Sequence, residues 1–195
     1  MQSQRISINS KDGGQFDAYL SLPPTGTGPG IVLIQEIFGV NQHIRDVADQ
    51  YASDGFVVLA PDVFWRQEPG VDIGYDEAGF QKGFALMQSM DFPKAVEDIC
   101  TAAQVLKNRP EVQGKVASLG YCMGGMLSYL TCTTPGAVDA SVCYYGGGIH
   151  TALDRAPQAR IPMLMHFAEK DGFIPMEAVS QIKAAFENQR EVEIH

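Results

Sequence analysis

The sequence predicts an α/β protein, a mostly parallel central sheet with helices on both faces. Three observations carry this. Short apolar runs alternate with segments of helical periodicity along the chain. Two of those runs, Ile31-Val32-Leu33-Ile34 and Phe56-Val57-Val58-Leu59-Ala60, are continuously apolar, as strands buried on both faces are. Finally, Gly120-Tyr121-Cys122-Met123-Gly124-Gly125 lies between an apolar run and a helical stretch, the layout of a strand that turns sharply into a helix.

The elements follow in order. Residues 6–8 and 16–22 alternate in polarity around Lys11-Asp12-Gly13-Gly14, which predicts an antiparallel hairpin. A Pro/Gly/Thr loop over 23–30 leads into the buried strand 31–34. Ile44, Val47, Ala48 and Tyr51 mark one helical face, closed by Asp54-Gly55. The strand at 56–60 stops at Pro61. Residues 61–92, with Trp65, Phe80 and Phe84, read as an excursion of short helices that forms a lid or pocket wall. Val96, Ile99, Cys100 and Ala103 mark another helix, and 115–119 a strand that ends at the glycine-rich turn. Strands at 138–144 and 161–165, a helix through Ala178, Val179, Ile182, Ala185 and Phe186, and a strand at 191–195 complete the chain.

With 195 residues, 45% of them hydrophobic, the chain reads as one globular domain over 1–195. The net charge of −9 argues against nucleic acid and anionic membranes as partners. The polar N-terminus lacks a signal-type apolar region, and no apolar run approaches the ~20 residues of a membrane span. A cytoplasmic location with reduced thiols is the expectation. Cys100, Cys132 and Cys143 read as core residues, and no Cys/His spacing matches a zinc site. Gly146-Gly147-Gly148 lacks the lysine and hydroxyl residue of a phosphate loop, so neither metal nor cofactor is expected.

The chemistry centres on Cys122. A thiol at a strained strand-to-helix turn faces the free N–H groups of the helix N-terminus, and small neighbours are required where strand and helix approach closely. In a parallel sheet, sites form at the carboxyl ends of the strands. The polar residues just past the apolar runs are Gln35-Glu36, Cys122 and Glu169-Lys170-Asp171, and the sheet is expected to bring them together.

Residues 120–125, Gln35-Glu36-Ile37-Phe38-Gly39, Ala60-Pro61-Asp62 and His166-Phe167-Ala168-Glu169-Lys170-Asp171 together resemble the dienelactone hydrolases, over nearly the whole chain. The resemblance implies an α/β-hydrolase fold and a Cys-Asp-His triad. Cys122 matches the nucleophile, Asp171 the acid that orients the histidine, and Glu36 the carboxylate that contacts the resting thiol. The backbone N–H groups of Ile37 and Met123 match the oxyanion hole. The implied reaction cleaves a small ester or lactone through a cysteine acyl-enzyme, by a monomer or homodimer.

The resemblance places the catalytic histidine in a loop just after the strand that here ends at His195, and a last sheet-covering helix beyond it. The fold is therefore expected to lack its C-terminal end, with apolar surface left open to aggregation or pairing and low activity for want of a base. His43, His150, His166 and His195 read as structural or surface residues. At the positions where family members hold a carboxylated lactone with Arg and Tyr, this chain has Phe80 and Phe84. Phe38, Phe80 and Phe84 would line an apolar pocket suited to a more general ester or lactone. Two other readings are a non-hydrolytic thiol enzyme, disfavoured by the lack of a CxxC pair, and a catalytically impaired or non-enzymatic small-molecule binding protein on the same fold.

Overall fold

The computed structural model describes residues 2–195. The elements are β1 (Gln2–Asn9), β2 (Gln15–Leu22), β3 (Gly28–Ile34), α1 (Gln42–Ser53), β4 (Val57–Pro61), α2 (Glu77–Gln88), α3 (Phe92–Lys107), β5 (Val112–Tyr121), α4 (Met123–Cys132), β6 (Ala140–Tyr144), a 3-10 helix (Ile149–Gln158), β7 (Met163–His166), α5 (Met176–Phe186) and β8 (Val192–Ile194). The strands form one sheet in the order β1-β2-β4-β3-β5-β6-β7-β8. β1–β2 and β2–β4 are antiparallel, and every later pair is parallel.

Successive side chains of a strand point to opposite faces, and β3 uses both. Val32 and Ile34 join the core beneath α3 and α4 with Ile99, Ala103, Leu106 and Leu127. Ile31 and Leu33 join Ile44, Ala48 and Ala52 of α1 on the other face. Helices therefore cover both faces. On the α1 side a stack of rings crosses the later strands: Tyr121–Tyr144 at 4.9 Å, Tyr144–His166 at 5.0 Å and His166–His195 at 5.3 Å.

Short polar side chains start the helices. Asn41, Asp76 and Asp91 each accept a bond from a backbone N–H of the first turn of α1, α2 and α3. Behind the turn at Cys122, the buried hydroxyls of Ser118, Ser128 and Ser141 form a triangle with edges of 2.8–3.1 Å. It joins α4 to β5 and β6 and satisfies three polar groups that would otherwise be buried unpaired.

Three local expectations need correction, and one element, the 3-10 helix, had no counterpart among them. The excursion at 61–92 contains one 12-residue helix, α2, rather than several short ones. β5 starts at Val112, earlier than its apolar run, because backbone pairing with β3 extends it. The glycine-rich stretch before His150 leads directly into the 3-10 helix, which the Tyr129 hydroxyl pins by donating to the Ala152 carbonyl at 2.9 Å. Cys132 and Cys143 are buried, but Cys100 is only half-buried.

Candidate active site

Cys122 joins the end of β5 to α4 with φ 57° and ψ −120°. A non-glycine residue in this region carries of order 1–3 kcal/mol of strain, which the surroundings must hold in place. The Cys122 N–H donates to the Tyr144 carbonyl at 3.0 Å, and the Cys122 carbonyl accepts from Gly125 at 3.0 Å. The glycines on either side are obligatory. A Cβ on Gly120 would lie 1.9 Å from the Gly124 carbonyl oxygen, and one on Gly124 2.3 Å from that of Ile34. This close approach sets the turn directly beside the end of β3, where residues 35–38 begin.

The half-buried thiol is subject to opposing influences. Burial pushes its pKa up. The Met123 N–H, hydrogen-bonded to the sulfur, pulls it back down, while the carboxylates of Glu36 and Asp171 push it up further. Two acids from distant strands thus act on one sulfur.

Glu36 is held by two tyrosines. The Tyr75 hydroxyl donates to Oε2, and the Tyr145 hydroxyl donates to Oε1 at 3.4 Å. Among the described residues its carboxylate is not hydrogen-bonded to the Cys122 sulfur, so its influence on the thiol is electrostatic. Burial and the bond to Glu36 push the Tyr75 hydroxyl up to about 12, which keeps it a donor. Its ring packs 4.3 Å from Phe38 and meets His43 edge-on at 6.0 Å. Asp171 is fixed by its own loop, since Oδ1 accepts from the backbone N–H of Phe173 at 2.7 Å and of Ile174 at 3.1 Å.

The Met123 N–H stands at the thiol from the start of α4, and Ile37 lies three residues past β3. Gly83 of α2 abuts Ile37, for a Cβ there would lie 2.3 Å from the Ile37 carbonyl oxygen. Phe80 and Phe84 stack at 6.0 Å on α2, and Phe173 reaches over from the Asp171 loop to 6.3 Å from Phe80. Phe38 and Phe80 pack against the core, while Phe84 is exposed. The excursion, the β3 loop and the β7 loop therefore form one apolar rim.

Among the described residues no histidine bonds to Cys122 or Asp171. His166 and His195 belong to the ring stack, and His150 Nδ1 is buried without a partner. The cations near the excursion are engaged elsewhere. Lys82 pairs with Glu68 at 2.6 Å, and Arg66 bonds Asp98 and Asp12. Tyr75, Tyr145 and Phe173 are the site residues that sequence reasoning missed. Tyr145 stands just past β6, where the strand-end rule could have found it. Tyr75 and Phe173 gave no local signal.

A mostly parallel sheet with a strained strand-to-helix turn at the carboxyl end of a central strand is the α/β-hydrolase fold. Within that class the chain belongs to the dienelactone hydrolase family, whose model it matches over residues 16–195. It is 35% identical over 196 residues to carboxymethylenebutenolidase of Pseudomonas sp. (strain P51), covering 100% of this chain and 82% of the relative. Identity to the carboxymethylenebutenolidase of Pseudomonas putida is 34% over 196 residues, covering 100% and 83%. A crystal structure of a dienelactone hydrolase-like promiscuous phosphotriesterase from metagenomic libraries superposes with a TM-score of 0.80 at 22% identity, over 100% of this chain and 81% of that one. The last likeness shows the fold alone. The family assignment makes the protein a hydrolase of the lactone and ester type.

Proposed function

We propose that this protein cleaves a small ester or lactone by forming an acyl-enzyme on Cys122. The observation that carries the reading is the convergence of Glu36, Asp171 and the Met123 N–H on the Cys122 sulfur. The thiolate attacks the acyl carbon, the ester C–O bond breaks and the alkoxide leaves as the alcohol with a proton from water. A second water then cleaves the thioester, releasing the acid and the free thiol, so hydrolysis is split into two easier steps. The Ile37 and Met123 N–H groups receive the tetrahedral oxyanion, where loss of one donor typically lowers the rate ~100-fold or more. Asp171, with its rotamer locked, serves as the acid that orients a histidine.

Glu36 holds Cys122 neutral at rest and so protects it from oxidation. Arriving substrate displaces the carboxylate from the thiol's surroundings, and the sulfur ionises only then. The rim of Phe38, Phe80 and Phe84 selects an apolar acyl or alcohol group, in place of the carboxylated ring of dienelactone.

The test is acyl transfer from p-nitrophenyl acetate. Wild type should release p-nitrophenol in a burst, and the Cys122→Ala variant should release none. One observation favours a second reading, that of a binding protein on the same fold: among the described residues no histidine bonds to Asp171 or Cys122. Saturable ester binding with no acyl transfer at any pH would establish it and remove the first reading.

A further inference from the structure

We infer a second ligand site, whose walls do not include Cys122, for a free medium-chain alkanoate. A groove of about 770 Å³ runs between α3, α4 and the 3-10 helix, and neither Cys122, Glu36 nor Asp171 lines it. Ligand sites typically measure about 300–1,000 Å³, so this one has room for a small amphiphile. Its apolar floor comes from Met87, Phe92, Val96, Cys100, Met126 and Leu130. Unbranched methionines on two walls allow the floor to follow a flexible chain.

The rim supplies the head-group chemistry. Lys11, Lys94 and Arg155 stand around the groove with one acid, Glu97. Lys94 is already held by Asp12 at 2.9 Å and Glu97 at 3.2 Å. Among the described residues Lys11 and Arg155 form no ion pair, and both are exposed. On a chain of net charge −9, two cations outside any ion pair among the described residues stand over an apolar trough. The complement is one negative group on an apolar tail. A guanidinium matches a planar carboxylate with paired N–H donors, and the overall negative charge repels anionic membranes, which commits the site to the free acid.

Cys100 provides the readout. Its free thiol is half-buried in the groove, and Lys11 acts on it electrostatically. Alkylation by N-ethylmaleimide is followed peptide by peptide, with decanoate added below its micellar concentration. Cys100 should be protected at least fivefold and saturably, while Cys122, read in the same samples, keeps its rate. Across octanoate, decanoate and dodecanoate the half-protecting concentration should fall about fourfold for each added methylene.

The Lys11→Glu/Arg155→Glu variant, changed only at exposed side chains, should weaken decanoate at least tenfold and leave 1-decanol unaffected. The milder Arg155→Gln should act in the same direction. Three results would overturn the site: no protection of Cys100, protection confined to Cys122, or decanoate affinity unchanged by both variants. The first two place the alkanoate outside the groove, and the third removes the cationic rim from recognition.

Discussion

At Cys122 one hydrogen-bond donor and two carboxylates compete over a single proton. Burial and the acids win, so the thiol ionises above the ordinary cysteine value of 9.0. The sign of the pH dependence follows. Thiolate, and with it alkylation of Cys122 by iodoacetamide, should increase with pH and still be rising past 9, and a plateau below pH 8 would contradict the geometry. Glu36→Gln removes one repelling charge and lowers the pKa, so alkylation at pH 7 should quicken by about three- to tenfold. An unchanged rate would mean that Glu36 does not restrain the thiol. Cys122 was legible because it stands among glycines between an apolar run and a helical stretch, and Glu36 and Asp171 because polar residues follow apolar runs. Their tyrosine partners were not, since Tyr75 reaches Glu36 across 39 positions by tertiary packing.

At the scale of elements, the turn at Cys122 depends on the near-contact of β3, β5 and α4. A methyl group at Gly124 would meet backbone at 2.3 Å and 2.5 Å, and neither carbonyl can step aside as a side chain could. Gly124→Ala should therefore destabilise the fold by about 1–3 kcal/mol in a urea titration and slow Cys122 acylation as the turn opens. Gly74→Ala is the control, because a Cβ there meets nothing within 4 Å and its φ is ordinary. A stable, fully active Gly124→Ala variant would sever the link between turn and chemistry. Period-2 and period-3.6 patterns made most elements readable, as in β3 and α1. The 3-10 helix escaped because Pro157 sits inside it and Ala152 is non-helical, features that read locally as a loop.

At the scale of the molecule, one buried acid ties distant segments together. Asp98 of α3 accepts from Ser10 at 2.7 Å, Trp65 Nε1 at 2.8 Å and Arg66 Nε at 2.8 Å, linking the β1–β2 turn, the segment after β4 and α3. Asp98→Ala takes the buried acceptor from Ser10, Trp65 and Arg66, with Asp12 still paired to Arg66, and should lower stability by about 1–3 kcal/mol. Adding Arg66→Met should cost less in the Asp98→Ala background than in wild type, because the Arg66–Asp98 bonds are already gone. Two single losses that simply add would show the two residues to be uncoupled. None of this network was visible in the sequence, where Asp98 is one acid on an ordinary helix. The sheet was visible as a class but not in its order, since nothing local says that β4 inserts between β2 and β3.

Stopped-flow release of p-nitrophenol from p-nitrophenyl acetate, with peptide mass analysis of the quenched protein, tests the proposed chemistry most directly. The account predicts a burst equal to the protein concentration and one acetyl group on the Cys122 peptide, both lost in Cys122→Ala. A burst of the same size in that variant, or acetyl carried on any other residue, would contradict it.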